Sequence, residues 1–157
     1  MSGRDWRSFG RLHASVYKAL RGRFVGSVGL GRKVLLLTTT GRKSGARRTT
    51  PLVFMPYGDR IVVYPSNGGR ETAPGWWLNL QTNPAATIQI GEASRPVRAR
   101  SASDREYAEI WPEAERYNPH WRDYAQTVSR QIPLVILERV DVQGGVGRGK
   151  PLVDPGR

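Results

Sequence analysis

Residues 34–57 read VLLLTTT, then GRKSGARR, then TTPLVFMPY, and this stretch decides the fold. Four apolar residues followed by three threonines favour a half-buried strand. The last nine residues read the same way. Pro51 predicts an edge position or a bulge there, because proline has no N–H to give to a ladder. Gly41 and Gly45 bracket a turn between the two runs. The turn carries Arg42, Lys43, Arg47 and Arg48, with Ser44 among them. The result is a β-hairpin tipped by cations and a small hydroxyl. Such a tip suits a multiply charged anion, since the guanidinium fork matches phosphate or carboxylate oxygens and Lys adds a point charge. The same charges on a solvated turn would serve solubility alone.

Moving outward, the net charge of +12 is unevenly placed. Residues 1–50 hold 12 of the 25 Lys and Arg against one acid, Asp5. The expected partner is therefore a polyanion: a phosphorylated cofactor, an anionic membrane surface or nucleic acid. A chain of 157 residues fits one domain with a single core. Residues 5–24 place Trp6, Phe9, Leu12, Val16 and Leu20 at helical spacing among basic residues. This predicts a basic amphipathic helix, either packed on the domain or lying on a membrane surface. With its glycine-rich connector it forms a segment over 1–32. The folded domain is expected over 33–140 and a disordered tail over 141–157. No apolar run is long enough for a spanning helix, and the first residues do not read as a secretory signal, so a cytoplasmic location is expected. The chain has no cysteine and only two histidines. Thiol chemistry is excluded, and a zinc site is not expected.

Downstream, 60–66 (RIVVYPS) predicts a third strand, closing an antiparallel meander. Asn67-Gly68-Gly69 then forms a loop that a ligand can approach closely. Residues 74–83 predict a short helix with Pro74 at its start and Pro84 beyond its end. Trp76 and Trp77 are adjacent, so they point different ways. One packs inward while the other lines a pocket or the surface. Asn79, on the Trp76 side, either contacts a ligand or caps a loop. Residues 86–90 and 95–100 predict two more strands. Ser103 and Glu106 form a capping box for a helix over 105–115, with Pro112 starting or kinking a second segment. An aromatic-rich loop at 117–124 enters a helix reaching about Arg130. Residues 132–140 predict a central, strongly apolar last strand. The fold class is mainly β with peripheral helices, a closed or nearly closed antiparallel barrel of about six strands. Pattern alone leaves OB-like and SH3-like barrels open.

Three blocks in order, TTTGRKSG-x-R-x-x-x-P, PSNGG and W-x-L-N-L-x-x-N-P, resemble the deazaflavin-dependent nitroreductase family of actinobacteria. The likeness spans about residues 33–140. It implies the split β-barrel shared with FMN-binding oxidoreductases, often dimeric, and the reduced deazaflavin coenzyme F420 as hydride donor. FMN on the same fold is the alternative cofactor. The acceptor implied is an electron-poor small molecule: a quinone, a nitro compound or an activated enone. By the resemblance, Arg42, Lys43, Ser44 and Arg48 hold the charged tail of the cofactor. Thr49, Thr50, Pro51, Leu52 and Val53 continue that wall. Tyr64, Pro65, Ser66 and Asn67, with Gly75, Trp76, Trp77, Leu78 and Asn79, flank the ring. Trp76, Asn118, Trp121 and Tyr124 face the substrate, with Tyr124 and Ser66 as proton-supplying or orienting hydroxyls. Two departures stand out. Of several family tyrosines near the substrate only Tyr124 is kept, beside Asn118 and Trp121, and the family's loop lysine is Asn67. The cofactor wall is intact while the substrate pocket differs, so nitroimidazole reduction is not expected. His120 is either a further proton donor, since imidazole titrates near neutrality, or a surface histidine. No Ser–His–Asp arrangement is visible, so a bound cofactor must carry any redox chemistry. A nucleic-acid-binding barrel fits the charge but lacks alternating exposed aromatics for base stacking.

Overall fold

The computed structural model describes residues 33–141. The amphipathic helix and connector expected over 1–32, and the tail expected beyond residue 141, lie outside the described residues. Six strands form a closed antiparallel barrel. They are β1 (Lys33–Thr40), β2 (Arg47–Tyr57), β3 (Arg60–Val63), β4 (Ala85–Ile90), β5 (Ala93–Ser101) and β6 (Val135–Arg139), in the barrel order β1-β2-β3-β6-β5-β4. A 3-10 turn (Asn67–Gly69) and helix α1 (Gly75–Thr82) link β3 to β4. Helices α2 (Asp104–Tyr117) and α3 (Pro119–Thr127) link β5 to β6.

The period-2 alternation of each strand sorts its side chains into two clusters. Leu35, Leu37, Phe54, Ile61, Val63, Ile88, Val97, Val135 and Leu137 fill the interior, and Trp76, Trp77 and Leu80 of α1 join them. Met55, Val62, Leu134 and Ile136 point outward and are covered by Ile110 and Ala114 of α2 and Trp121 of α3. β3 and β6 are thus buried on both faces. That is why the final strand reads as an unbroken apolar run.

One flank of β2 is only partly paired. β2 pairs with β1 from Arg47 to Phe54, but with β3 only over residues 55–57. Among the described residues the second edge of β2 along 47–54 has no strand partner, and Pro51 sits in that stretch. Its missing N–H therefore takes nothing from a ladder on that side.

Three expectations are corrected. β3 ends at Val63, and Tyr64 to Ser66 leave the sheet ahead of the glycine turn. Pro112, expected to start or kink a second segment, does not start one: α2 runs through it from Asp104 to Tyr117. The carbonyl of Ala108, which Pro112 cannot serve, belongs to an exposed residue. The break falls at Asn118, whose Oδ1 accepts the His120 N–H, with Pro119 at the first position of α3. α3 ends at Thr127, short of Arg130.

The capping box is present as read: Glu106 N–H donates to Ser103 Oγ, and Ser103 N–H donates to Glu106 Oε1. Glu106 also accepts from Arg100 Nη1 and Nη2 at 2.7 and 2.8 Å, and from Arg60 at 3.4 Å. Arg100 bonds Glu138 as well. The start of α2 is thereby fastened to β3, β5 and β6.

Candidate functional site

The opening beside β2 leads into a cleft of about 750 Å³. At one end lies the tip of the β1–β2 hairpin. Gly41 N–H donates to Ala46 O at 2.7 Å, and Gly45 N–H donates to Gly41 O at 2.8 Å. The Ser44 hydroxyl accepts from Ala46 N–H. Gly45 has φ +70°, which a side chain would strain. The tip is therefore a defined turn that presents Arg42, Lys43, Ser44 and Arg48 to the cleft.

Asn79 of α1 anchors this tip. Its Oδ1 accepts from both Arg42 N–H and Arg42 Nη1 at 3.1 Å, and its Nδ2 donates to Thr39 Oγ1 at 3.1 Å. Asn79 and Thr39 are both buried. Of the two roles open to Asn79 in the sequence, the loop anchor is realised, and the residue also lines the cleft.

The open edge of β2 makes one long wall through Thr50, Pro51, Leu52 and Val53. Tyr64, Ser66, Asn67, Gly68, Pro74, Gly75 and Trp76 make the other. Ser66 is 8% exposed. Asn67 adopts φ +50°, a conformation asparagine tolerates better than most residues, and its amide donates to Thr72 O at 2.9 Å. Asn118, His120, Trp121 and Tyr124 close the far end. The His120 ring stacks on Tyr124 with centroids 6.3 Å apart, and its Nδ1 lies 3.8 Å from an Asp123 oxygen. Tyr64 packs tilted against Trp111 and Trp121. Its hydroxyl is buried without a well-formed hydrogen bond. Burial, then the neighbouring Tyr107, push its pKa far above the usual phenol range, so it stays neutral.

Among the described residues three cations line the cleft and no carboxylate does. Among the described residues no cluster of His, Cys, Asp or Glu could hold a metal ion. The site can take a long ligand with an anionic end at the hairpin, a flat portion beside Trp76 and β2, and a reacting end among hydroxyls and an imidazole.

Most residues singled out from sequence meet here, and four do not line the cleft. Thr49 faces away and shares a 2.9 Å hydrogen bond with Thr38. Pro65 offers only its carbonyl, to Arg130. Trp77 packs into the barrel interior, 6.4 Å from Trp76, and lines a separate, smaller pocket. Leu78 is half-buried on α1. Of the tryptophan pair, Trp76 is the one that reaches the cleft. Gly68, in the loop read as open to close approach by a ligand, lines it too, as do Gly41 and Pro74, which the sequence marked only as a turn residue and a helix start.

The profile of the F420H(2)-dependent quinone reductase family matches residues 9–139. The chain is 35% identical over 132 residues to the F420H(2)-dependent quinone reductase Rv1261c of Mycobacterium tuberculosis, covering 82% of this chain and 89% of the relative. A solved F420-H2 dependent reductase, FDR-A, superposes with a TM-score of 0.62 at 32% identity, over 68% of this chain and 94% of that one. A second solved chain, described as a domain-swapped dimer, gives the same TM-score and identity over 68% of this chain and 80% of its own. The deazaflavin reading of the three sequence blocks is borne out, and nothing in these likenesses supports FMN as the alternative. The chain belongs to the F420H(2)-dependent quinone reductase family.

Proposed function

We propose that this protein reduces quinones or similarly electron-poor small molecules with F420H2, and that the cleft beside β2 holds cofactor and acceptor end to end. The observation that carries this reading is a cleft whose hairpin end bears Arg42, Lys43 and Arg48 and which, among the described residues, no carboxylate lines. A phosphodiester and polyglutamate tail requires that donor set, and a carboxylate in the wall would repel it. Arg42, Lys43, Ser44 and Arg48 bind the tail. Thr50, Pro51, Leu52 and Val53 on one side, and Tyr64, Ser66, Asn67, Gly75 and Trp76 on the other, confine the ring. When bound, the cofactor supplies a hydride from its reduced C5 position. Asn118, Trp121 and Tyr124 orient the acceptor. Among the described residues the hydroxyls of Ser66 and Tyr124 have no hydrogen-bond partner, so either can donate to the oxygen on which charge develops. Trp121 and Trp76 exclude water from that end. Thr49, Pro65, Trp77 and Leu78 support these walls from behind.

The acceptor is a small molecule that enters from the open side. We extend the reading to a homodimer, since the chain resembles one solved as a domain-swapped dimer. Membrane contact rested on residues outside those described and is not carried further. Among the described residues no helix is long and apolar enough to cross a membrane.

The test is a fluorescence titration of F420 into wild type and into the Arg42→Ala, Lys43→Ala, Arg48→Ala triple variant, at two salt concentrations. Each charge-assisted contact contributes about 1.5–3 kcal/mol before non-additivity, so an affinity loss of at least 100-fold is expected. Equal affinities in the two proteins would remove the reading.

A further inference from the structure

Behind the far half of the cleft, two segments nearly sixty residues apart in sequence are fastened together. The first is the glycine turn and the residues around it, 65–71. The second follows α3, at 128–130. Arg130 Nη2 donates to the carbonyls of Pro65 and Ser66 at 3.0 and 3.1 Å, and its Nε donates to Arg70 O at 3.2 Å. In return, the carboxylate of Glu71 accepts the Ser129 N–H at 2.9 and 3.1 Å and the Ser129 hydroxyl at 2.9 Å. These donations hold the Glu71 carboxyl below its ordinary pKa, so it is ionised at neutral pH.

Between the two bridges the backbone of the turn lies close against side chains of α3. A Cβ on Gly69 would stand 3.1 Å from Tyr124 Cδ1 and 2.9 Å from Thr127 Oγ1, and Gly69 has φ +79°. Only a glycine lets the turn come this near to α3. One bridge holds the carbonyl of Ser66, and the contact at Gly69 touches the ring of Tyr124. Both residues line the cleft, and they are the two to which the proposed reading gives a donating hydroxyl.

Resting on the proposed reductase reading, we propose that the Arg130 and Glu71 bridges are a positioning clasp that fixes the separation of Ser66 and Tyr124 and so selects which acceptors fit. None of these clasp contacts reaches the hairpin, where the cofactor tail is held. The clasp therefore acts on the ring and acceptor end of the cleft and leaves the tail site alone. Its residues touch the site through other residues, and neither Glu71 nor Arg130 lines the cleft.

The experiment uses the full chain with Glu71→Ala, Glu71→Gln and Arg130→Gln. Glu71 and Ser129 are exposed, so the Glu71 variants keep the fold. Amide hydrogen exchange, which needs no ligand, should quicken at least tenfold over 65–71 and 119–130 in Glu71→Ala and Arg130→Gln, and stay at the wild-type rate over 41–48. In turnover with menadione as probe, KM should rise five-fold or more with kcat within two-fold, and the preference for menadione over a bulkier quinone should fall. Glu71→Gln keeps an acceptor oxygen and should recover most of both effects. Unchanged exchange in the two segments, or a KM within two-fold of wild type in an active enzyme, overturns the clasp. So does faster exchange over 41–48, because the effect would then reach the tail site. Failure of wild type to bind F420 removes the reductase reading alone, and the exchange data still decide whether the clasp exists.

Discussion

Replacing Asn79 tests how the fold supports its anion-binding tip. Asn79→Ala deletes three hydrogen bonds at 3.1 Å: two from Arg42, one of them charge-assisted, and one to Thr39 Oγ1. Thr39 is 1% exposed, so its hydroxyl is left in a dry environment. At about 1 kcal/mol for each neutral bond and 1.5–3 kcal/mol for the charged one, the sum is about 3–4 kcal/mol after some relaxation. That lies below the 5–15 kcal/mol typical of a domain, so the variant folds. With a urea m-value of about 1.5 kcal/mol/M, the midpoint should fall by about 2 M. F420 affinity should fall too, because Arg42 is no longer held toward the cleft. Asn79→Asp separates the two effects. It keeps the acceptor for Arg42, and Thr39 can donate to it, so the midpoint should move much less. It also places a carboxylate in the cleft wall. Against an anion held ~8 Å away, with an effective dielectric of ~20, the repulsion is about 2 kcal/mol, or about 30-fold in affinity. Urea denaturation followed by tryptophan fluorescence and F420 titration of both variants decide the matter. If Asn79→Asp bound F420 as tightly as wild type, the cleft would not be the anion site and the reasoning would fail.

Two further outcomes are expected. Ser66→Ala and Tyr124→Phe should each lower kcat/KM for quinone reduction, by 10²-fold or more for whichever hydroxyl donates the proton, while F420 affinity stays within two-fold; steady-state kinetics and titration check both. Glu106 is pulled down to a pKa of about 2, first by the Arg100 hydrogen bonds and then by Ser103. Its folded pKa lies below its unfolded value, so its contribution is present above about pH 4.5 and lost as pH falls toward 2. Denaturation midpoints between pH 6 and pH 2.5 should therefore fall more steeply for wild type than for Glu106→Gln.

Local signals were read well because their causes are local. The hairpin, the capping box at Ser103 and the helix between Pro74 and Pro84 each depend on residues a few positions apart. Pro112 does not start a new segment, because a helix can run through a proline and the local sequence does not decide whether it will. Thr49 and Trp77 belong to the motif blocks yet face away from the cleft, since a block of matching residues carries no record of which way each side chain points. The double role of Asn79 could be posed from its place on the helix but was decided only by the approach of Arg42 and Thr39. The bridges from Glu71 to Ser129 and from Arg130 to Pro65 left no trace in the sequence, because nothing in either segment alone anticipates the other.

The gap beside Pro51 has a bearing on solubility. A strand flank without a neighbour is a template onto which another extended chain can add, and growth by that route leads to insoluble assemblies. Here a proline interrupts the template at its middle, and the guanidinium groups of Arg47 and Arg48 at its end repel an identical strand. A molecule lying along residues 50–53 would shield the rest, so the protein should keep longest in storage when its ligand is present.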